Sequence, residues 1–441
     1  MRIGYFTSID GWGGSEVYLR SMILGVRQRG HKPVLFGISG TRLFEDMSRA
    51  GIECFDWKDA ERGNRNPSSL RYGETSAEIG TGNAEAGCRN GNGDPLTTRR
   101  LPGKCKAALL GLVPTWLKLQ AGNMRDTAKL ARLFREHPLD VMHVNVNGYE
   151  TAGPACRRAR IPSLGVYHNT FIPEEYWFRR WLIRQNIRSY AHVCCVAPRS
   201  RDMWQRATGI PSDRIAAVWN GIDLDRFHPR DRHIRANAAG SLKLISIGRL
   251  SSVKGYNFLV EAIRLLDDDR VSLELLGRGE QEEDLRSLTR RLSLEDRVTF
   301  VGHVEDVEVH LRAADAFVLV SVAHESCPLV IPEAMACGLP VITSDFGALP
   351  DMNIDGETGL VVPAGDSAAL ALAVRRLADD PALASRMGAA ARRRAQELFS
   401  EDRMVSETMK LYESLAGRQR RRVPRFRHAK REDERCGTQE A

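Results

Sequence analysis

Short apolar segments alternate with amphipathic helical segments along most of this 441-residue chain, and that alternation constrains the fold more than any other feature. The first apolar segment is RIGYF, at residues 2–6. A glycine-rich turn follows it, then a helical pattern from Ser15 to Arg29, then the apolar segment PVLFGIS. A strand, a glycine loop, a helix and a second strand make the βαβ unit of a parallel sheet. The sequence therefore predicts an α/β fold.

The alternation is interrupted and then resumes, which indicates two domains. A second series begins at LKLISIG, and its apolar runs ISIG, LELLG and FVLVS suit strands that are buried on both faces. A chain of 441 residues also exceeds the size that one core usually supports. We expect two facing Rossmann-like domains, at residues 1–225 and 226–396, with a cleft between them. A long helix is predicted over Ser367–Glu397, and a further helix at 397–417 is expected to return to the first domain.

Residues 60–104 differ in composition from the rest of the chain. They are rich in Gly, Asn, Ser, Arg and Glu and contain few large apolar residues. Such a segment cannot bury a core, so we predict a flexible insertion. It is either a tolerated surface loop or a lid that approaches an acceptor.

The positive charge of the chain is concentrated at its end. The net charge is +8, and nine basic but four acidic residues occur from Arg418 onward. We expect residues 418–441 to form a disordered basic tail that either stays in solution or rests on an anionic membrane. No recognised nucleic-acid-binding fold accompanies this charge, so a nucleic-acid partner is not expected.

The cysteines and the apolar segments predict a cytoplasmic protein. The nine cysteines include no C-x-x-C pair, which is typical of free thiols in a reducing compartment. No run approaches the ~18 apolar residues of a membrane-spanning helix. The start, MRIGYFTSID, lacks the apolar core of a signal peptide. We expect a cytoplasmic location, peripheral on the inner membrane face if the tail binds lipid.

Two glycine loops at strand ends predict the binding of an anion. Gly13 and Gly14 lie between the first strand and the first helix, where glycines let a ligand approach free backbone N–H groups. Their spacing is not G-x-G-x-x-G, which disfavours a dinucleotide. The second loop, GRLSSVKG, follows the strand LKLISI and carries Arg249 and Lys254. Two cations at the carboxyl end of a strand suit a diphosphate, although a solvated loop would carry the same charges.

The segment SVAHESCPLVIPEAMACGLP carries the strongest signal. The strand AFVLVS ends in a loop that contains Glu325, and Pro332 is expected at the first position of a short helix, with Glu333 in its first turn. The backbone amides of residues 326–330 suit an anion, and the two carboxylates suit the hydroxyls of a ribose and of a sugar. Helix capping or simple solvation is the alternative for both acids.

These motifs resemble those of a large family of retaining glycosyltransferases with the GT-B fold, called family 4 or glycosyl transferases group 1. Glu325 and Glu333 match its E-x7-E motif, and residues 248–255 match its G-R-x4-K-G loop. The segment GGSEVYLRSM resembles its G-G-x-E helix, WNGIDLDRFHP its domain linker, and DGETGLVVPAGD its late donor-domain loop. The resemblance covers nearly the whole chain except the insertion and the tail.

The resemblance implies a reaction and its partners. A sugar would move from a nucleotide-diphosphate donor to a glycan or lipid-linked acceptor, with retention of the anomeric configuration. The second domain would bind the donor and the first the acceptor. The product would be a cell-surface polysaccharide or a glycolipid.

The resemblance also implies a role for each matched residue. Arg249 and Lys254 would hold the diphosphate, while Glu333 would bind the ribose. Glu325 would bind the donor sugar near its anomeric centre, and His168, in VYHNT, matches an amino-domain histidine that faces that sugar. The implied catalytic residues are Glu325, His168, Arg249 and Lys254. The implied donor-binding residues are Gly13, Gly14, Arg249, Lys254, Glu325, Ser326, Leu329, Val330 and Glu333.

Two positions depart from the family pattern. Ser326-Cys327 stands where the family often has Gly-Phe, and Asp351 stands where it often has Glu. On residue chemistry alone, His168 fits a structural role as well as a catalytic one, and His143 fits a structural role better. No D-x-D motif lies at a strand end, so neither a metal ion nor a cofactor is expected.

Other functions remain open at this point. A nucleotide-sugar epimerase of the same fold would need further acid and base residues in the cleft and no acceptor. A catalytically silent protein would bind the nucleotide sugar without transferring or hydrolysing it. A nicotinamide-dependent dehydrogenase is disfavoured by the glycine spacing.

Overall fold

The computed structural model describes residues 1–9, 13–58, 115–146, 151–169, 177–229, 241–323 and 325–422. The predicted insertion at 60–104 and residues 423–441 of the predicted tail lie outside the described residues. No helix within the described ranges is both long and apolar enough to cross a bilayer.

The amino-terminal half forms a parallel sheet whose strands alternate with helices. The strands are β1 Arg2–Phe6, β2 Lys32–Gly37, β3 Glu53–Asp56, β4 Val141–Val146, β5 Ser163–Tyr167, β6 His192–Cys195 and β7 Ile215–Ala217. The helices are α1 Gly14–Gln28, α2 Arg42–Arg49, α3 Thr115–Glu136, α4 Ala152–Ala159, α5 Trp177–Ile187 and α6 Pro198–Thr208. The strands lie in the order β3-β2-β1-β4-β5-β6-β7.

The carboxy-terminal half repeats the arrangement. Its strands are β8 Leu242–Ile247, β9 Val271–Leu276, β10 Val298–Gly302, β11 Ala316–Leu319, β12 Val341–Ser344 and β13 Gly359–Val362. Its helices are α7 Tyr256–Leu266, α8 Glu282–Arg291, α9 Val307–Ala313, α10 Val330–Ala336, α11 Leu349–Met352, α12 Ser367–Asp379, α13 Pro381–Leu398 and α14 Glu401–Arg422. The strands lie in the order β10-β9-β8-β11-β12-β13.

The strand orders determine where a ligand can bind. The order reverses between β1 and β4 in the first sheet and between β8 and β11 in the second. Both pairings are parallel, so the loops that follow these strands leave the sheet at one edge. In such sheets, a crevice opens outside the carboxyl ends of the strands at the point of reversal. The predicted α/β class, with two Rossmann-like domains, is confirmed.

The central strands are buried on both faces, as their apolar runs predict. Every residue of β4 and of β11 is buried. Burial of apolar surface contributes roughly 25 cal/mol per Å² to folding. Two polar residues of β4, His143 and Asn145, are exceptions to the apolar pattern and therefore require hydrogen-bond partners inside the domain.

The long helix predicted over Ser367–Glu397 is instead two helices, α12 and α13, which meet at Asp380 and Pro381. A proline lacks a backbone N–H and disfavours helical backbone at the residue before it, so one continuous helix cannot pass through this point. Asp380 caps the new helix, because its carboxylate accepts a 2.8 Å hydrogen bond from the N–H of Leu383.

The last helix, α14, leaves the second domain and packs against α1 of the first. Gly25 of α1 permits the close approach, since a Cβ at that position would lie 2.6 Å from Cγ2 of Val405. Arg29, at the end of α1, is paired with the carboxylate of Asp402. The carboxy-terminal helix therefore contributes to the core of the amino-terminal half.

The helix α14 also extends further than predicted, because it ends at Arg422. The expected disorder is therefore wrong for residues 418–422. Arginine is a good helix former, and the side chain of Gln419 donates a 3.0 Å hydrogen bond to the carbonyl of Arg160 in the first domain.

The chain passes between the domains twice, and the two passages are hydrogen-bonded to each other. The N–H of Ile222 donates to the carbonyl of Phe399 at 2.8 Å, and the N–H of Glu401 donates to the carbonyl of Ile222 at 3.1 Å. Gly221 is required at this crossing, because a Cβ there would lie 2.6 Å from Cα of Glu401. The linker and the segment before α14 are therefore hydrogen-bonded to each other where they cross between the domains.

Candidate active site

The glycine loop of the first domain faces the short helix of the second. A Cβ added to Gly14 would lie 3.8 Å from Cδ1 of Leu329, the N-cap residue of α10. Gly13, the N-cap residue of α1, offers no side chain to its first-turn N–H groups. The amino-terminal ends of α1 and α10 thus approach each other across the cleft. The first N–H groups of a helix lack acceptors one turn earlier in the same helix, and they lie at the positive end of the helix dipole.

Pro332 does not lie where the sequence predicts it. The helix α10 begins at Val330, so the proline is its third residue rather than its first. The position tolerates proline because N–H groups in the first turn have no partner within the helix. Glu333 still falls in the first turn, as predicted.

The predicted cation and acid of the second domain meet in a buried ion pair. The ammonium of Lys254 contacts Oε1 of Glu325, and 19% and 7% of the two side chains are exposed. The hydroxyl of Ser321 donates to the same oxygen at 2.8 Å. The pairing follows from the topology, because β8 and β11 are neighbours and their loops leave the sheet side by side. In a buried pair of this kind, the attraction between the two charges offsets part of the hydration that both have lost.

Two glycines permit these loops to pack closely. Gly255 has a φ of +69°, and a Cβ there would lie 2.4 Å from the carbonyl oxygen of Val320. Gly347 has a φ of +59°, and a Cβ there would lie 2.3 Å from the carbonyl oxygen of Glu325. Any side chain at either position would push the loop that carries Glu325 away from the cation.

Arg249 lies apart from this ion pair. Its guanidinium Nε contacts Oε2 of Glu280 at 3.1 Å, and 75% of its side chain is exposed. Glu280 belongs to the loop after β9, whose glycines pack against the Arg249 loop: a Cβ at Gly277 would lie 1.9 Å from the carbonyl oxygen of Gly248. Glu280 was not predicted from the sequence, although its segment GRGE directly follows an apolar strand.

The carboxyl group of Glu333 has a pKa above the usual range for glutamate. Burial raises its pKa to about 7. The guanidinium of Arg226, from the interdomain linker, favours the ionised form, whereas the carboxylate of Glu308 disfavours it. Arg226 is itself held by a 2.7 Å contact with Glu308. Near neutral pH, the Glu333 carboxyl is therefore poised between its neutral and ionised forms.

His168 lies at the carboxyl end of β5 and is held by a residue that the sequence analysis did not single out. Its Nε2 contacts Oδ1 of the fully buried Asn145, whose amide nitrogen donates to the carbonyl of Ser15 at 3.3 Å. The ring of Tyr18 packs edge-on at 4.8 Å. Because Oδ1 can only accept, Nε2 carries the proton and Nδ1 keeps its lone pair. Burial lowers the pKa of His168 to about 4, so the ring is neutral.

The sequence signal for Asn145 is weak but present. Asn145 interrupts the apolar strand DVMHVNV near its carboxyl end, where ligands of parallel sheets bind. His143 is the other polar residue of this strand, and it lies deeper. Its Nδ1 is 2.6 Å from the hydroxyl of Tyr412 on α14, and burial lowers its pKa to about 3. This contact joins the returning helix to the strand beneath the site.

Further contacts connect the linker and the first domain to the second. The amide nitrogen of Asn220 donates to the carbonyl of Cys327 at 3.3 Å. Asp351, which replaces the glutamate common in the family pattern, accepts hydrogen bonds from the backbone N–H and Nε of Arg199 at 3.1 and 3.3 Å. Asp351 thus links α11 to the start of α6 across the domains.

Cys327, which stands where the family pattern often has Phe, is a buried neutral thiol. Burial raises the pKa of Cys327 to about 12, so it carries no charge near the ion pair. Within the described ranges, no three His, Cys, Asp or Glu side chains are placed together as a set of metal ligands.

Comparison with known protein families identifies this arrangement. Residues 228–394 match the family described as "Glycosyl transferases group 1", and residues 96–226 match "Glycosyltransferase Family 4". The chain belongs to glycosyltransferase family 4. The two matches include the loops that carry His168, Lys254 and Glu325.

Individual relatives of this family 4 chain agree with the assignment. The D-inositol 3-phosphate glycosyltransferase of Streptomyces avermitilis is 38% identical over 229 residues, which are 48% of this chain and 49% of that protein. The amylovoran biosynthesis glycosyltransferase AmsK of Erwinia amylovora is 29% identical over 254 residues, or 54% and 61% of the two chains. The matched segment thus spans about half the length of these curated relatives.

A solved structure supports the fold of this family 4 chain. The crystal structure of Anabaena HepE in complex with UDP superposes with a TM-score of 0.71 and 19% identity. The superposition covers 94% of this chain and 100% of that one. The likeness therefore extends over both domains.

Proposed function

We propose that this protein is a glycosyltransferase that moves a sugar from a nucleotide-diphosphate donor to a glycan or lipid-linked acceptor, with retention of the anomeric configuration. The Lys254–Glu325 pair carries the proposal, because it holds an anion-binding cation beside a carboxylate able to accept hydroxyl hydrogen bonds. Membership of family 4 supports the reaction class. The relative named for amylovoran biosynthesis favours a role in polysaccharide synthesis.

The donor diphosphate would lie between Lys254 and the start of α10. Lys254 supplies a point charge, and the N–H groups of Ser326, Leu329 and Val330 supply directed hydrogen bonds. Gly14 leaves the opposite wall of the cleft without a side chain, so a phosphate can approach the first N–H groups of α1. Gly13 contributes in the same way at the N-cap position.

Arg249 would join this set only after a change of partner. Its exposed ion pair with Glu280 is of the kind that contributes little to stability, so exchange for a phosphate costs little. A guanidinium can then bind two phosphate oxygens at once. Glu280 therefore acts as a temporary partner in this proposal.

The sugar and the ribose would be bound by the acids and by His168. When a phosphate takes over Lys254, Glu325 can accept a hydrogen bond from a sugar hydroxyl in place of the ammonium. Glu333, once ionised, accepts hydrogen bonds from two adjacent ribose hydroxyls. The neutral His168 ring presents an unprotonated Nδ1, which accepts a hydroxyl hydrogen bond from the first-domain side.

The chemistry follows from stabilisation of the leaving group. As the bond between the anomeric carbon and the β-phosphate oxygen breaks, negative charge builds on that phosphate. Lys254, Arg249 and the helix ends are in place before this bond breaks, so they stabilise the charge as it develops. The acceptor oxygen then forms its bond to the anomeric carbon on the same face. Its proton passes to the departing diphosphate, which balances the exchange.

A panel of nucleotide sugars tests the proposal, and uridine donors come first because HepE was crystallised with UDP. We expect one donor to give slow hydrolysis without acceptor and transfer with a suitable glycan or lipid. Lys254→Ala should lose a factor of about 10² to 10³ in both reactions. Lys243→Ala is the matched control, since Lys243 lies at the other end of β8 and is paired with Glu274.

Three results would contradict the proposal. They are full activity of the Lys254→Ala variant, equal losses in both lysine variants, and tight nucleotide binding without any hydrolysis or transfer by the wild-type protein. Nuclear magnetic resonance of the product reports the anomer directly, and an inverted product would contradict retention alone.

A further inference from the structure

A second cavity lies at the far edge of the first domain. Its volume is about 970 Å³, and it is bounded by α4, by the beginnings of β5 and β6, and by α14. His168 follows the carboxyl end of β5, whereas the cavity touches Ser163 at its start. A strand of five residues separates the two, which is roughly 16 Å. The cavity is therefore separate from the cleft that holds Lys254 and Glu325.

Arginine side chains dominate the charge of this cavity. Five guanidinium groups line it, and no carboxylate is among its described lining residues. The five are Arg157, Arg160, Arg188, Arg214 and Arg418. Like charges brought together in this way raise the local electrostatic potential, and they attract a multivalent anion that reduces their repulsion.

A neighbouring histidine responds to the same charge. Burial lowers the pKa of His192, and the charges of Arg418 and Arg214 lower it further. Asp213 acts in the opposite direction but with a smaller effect. The positive potential therefore extends to the side chain of the residue that begins β6.

Hydrogen bonds to the backbone hold part of this arginine cluster in place. Arg188 donates from Nη2 to the carbonyl of Thr208 at 3.3 Å, and Arg214 donates from Nη2 to the carbonyl of Arg188 at 3.4 Å. A guanidinium has five N–H donors, so each of these arginines retains others for a ligand. Arginines already held in position lose less conformational entropy when they bind an anion.

The returning helix forms one wall of the cavity. Leu415, Arg418 and Gln419 of α14 line it, and Gln419 is hydrogen-bonded to the carbonyl of Arg160. Arg160 adopts a left-handed backbone with a φ of +61°, which costs energy in a residue other than glycine. That conformation, held by the contact from α14, keeps the last turn of α4 at the rim of the cavity.

We propose that this cavity is a binding site for a phosphate-bearing anion, distinct from the donor site. Guanidinium groups match phosphate oxygens geometrically and bind them in pairs. Apolar groups of Ile161, Pro162 and Leu415 lie among the arginines, so the phosphate can be attached to an apolar group. The phosphate belongs either to a soluble polyphosphate or to a lipid headgroup, and both present the same chemistry to the arginines.

Calorimetric titration of the full chain with sodium tripolyphosphate tests the soluble source. The test variant is Arg157→Gln/Arg418→Gln, because these two exposed lining arginines make no side-chain hydrogen bond or ion pair among the contacts of the described residues. The control is Arg158→Gln/Lys410→Gln, which removes the same charge from the same two helices at exposed positions outside the cavity. Lys254→Ala weakens the donor site alone and therefore shows how much of the binding occurs there.

Flotation with vesicles tests the lipid source. Vesicles of phosphatidylcholine with phosphatidylglycerol are compared with vesicles of phosphatidylcholine alone, using the same three variants. Every variant retains the basic residues that follow Arg418, so differences between the variants report the cavity.

The proposal expects a loss that is confined to the cavity variant. Tripolyphosphate affinity, or binding to phosphatidylglycerol vesicles, should fall by roughly tenfold for each lost arginine, and the control should match wild type. Loss in the first assay identifies a soluble ligand, and loss in the second alone identifies a lipid headgroup. Equal binding by the cavity variant and the control in both assays would overturn the proposal, as would the absence of binding by wild type.

Discussion

Lys254 and Glu325 are 71 positions apart in the sequence, and their charged groups are in contact at the carboxyl edge of the second sheet. The family pattern assigns Lys254 to the diphosphate of the donor and Glu325 to its sugar. In this structure the two side chains are in contact with each other. Without a ligand, each charge compensates the other. A bound diphosphate would compete with Glu325 for the ammonium, so donor binding and release of the acid are coupled in the proposed mechanism.

Glu325→Gln should separate binding from turnover. The substitution leaves Lys254 without its carboxylate partner, and an unpaired buried cation gains more from an incoming diphosphate. We expect the affinity for a nucleoside diphosphate to rise by several-fold, while sugar transfer falls by about 10² or more. Calorimetry and a transfer assay on the same preparation measure the two quantities. Weaker diphosphate binding in this variant would show that the pair does not compete with the ligand.

Asn145→Ala should change the tautomer of His168. The side chain loses the acceptor that holds the proton on Nε2, so the tautomer protonated on Nδ1 should become populated. Nitrogen chemical shifts of the labelled ring report this directly. Asn145→Asp keeps the acceptor and adds a negative charge, which should raise the pKa of His168 from its value of about 4. An unchanged tautomer in the alanine variant would mean that Asn145 does not position the ring.

Glu333 should make donor binding depend on pH near neutrality. Its pKa is about 7, so its carboxyl loses the proton as the pH rises through that value. Only the ionised form accepts hydrogen bonds with both oxygens, and affinity for a nucleotide sugar should therefore increase between pH 6 and about 8. A nucleotide sugar is the appropriate ligand because its diphosphate has no ionisation in this range. The Glu333→Gln variant should show no such increase.

The same carboxyl should affect stability in the opposite direction. Its pKa is raised from 4.5 in the unfolded chain to about 7 in the folded protein, so between these values the folded state binds more protons. The free energy of unfolding should accordingly decrease as the pH rises from 4.5 to 7, and this decrease should be smaller in Glu333→Gln. Denaturant titrations at several pH values measure the difference. An equal pH dependence in the two proteins would contradict the assignment.

Gly255→Ala should destabilise the second domain more than an ordinary substitution at positive φ. The left-handed backbone alone costs about 1–2 kcal/mol, and the Cβ would in addition lie 2.4 Å from the carbonyl oxygen of Val320. Gly356→Ala is the control, because its φ is +74° but no atom lies within 4 Å of the added Cβ. Thermal unfolding should show the larger loss for Gly255→Ala, and equal losses would mean that the loop relaxes freely.

The sequence predicted elements well where the periodicity was strong and less well where side-chain contacts decide the boundary. The mostly apolar segments of β8, β9 and β11 are strands because short segments of this kind can be buried on both faces of a parallel sheet. The division of the long helix at Pro381 was missed, although the proline is visible, because the apolar period continues on both sides of it. The extension of α14 to Arg422 depends partly on Gln419 reaching Arg160, which is 259 residues away.

The candidate site divides in the same way. The motifs that carry Arg249, Lys254, Glu325 and Glu333 are short segments at the ends of strands, and they can be recognised one at a time. Asn145 and Glu280 were not predicted as site residues, because each acts by holding a side chain on another loop. Asn145 holds His168, and Glu280 holds Arg249. Arg249 was expected beside Lys254 because both lie on one loop, but its side chain is held by Glu280 on a neighbouring loop.

The sequence by itself determined the α/β class, the two series of strands and helices, and the residue types available for binding a phosphorylated sugar. These properties depend on local periodicity and on the chemistry of single residues, which a linear chain displays directly. The tertiary structure alone decided that Lys254 contacts Glu325, that Asn145 orients His168, and that α14 forms one wall of an arginine-lined cavity. Each of these contacts depends on the order of the strands in the sheets or on the return of the chain to the first domain. Residues far apart in the sequence therefore become neighbours, and the sequence alone does not show which ones.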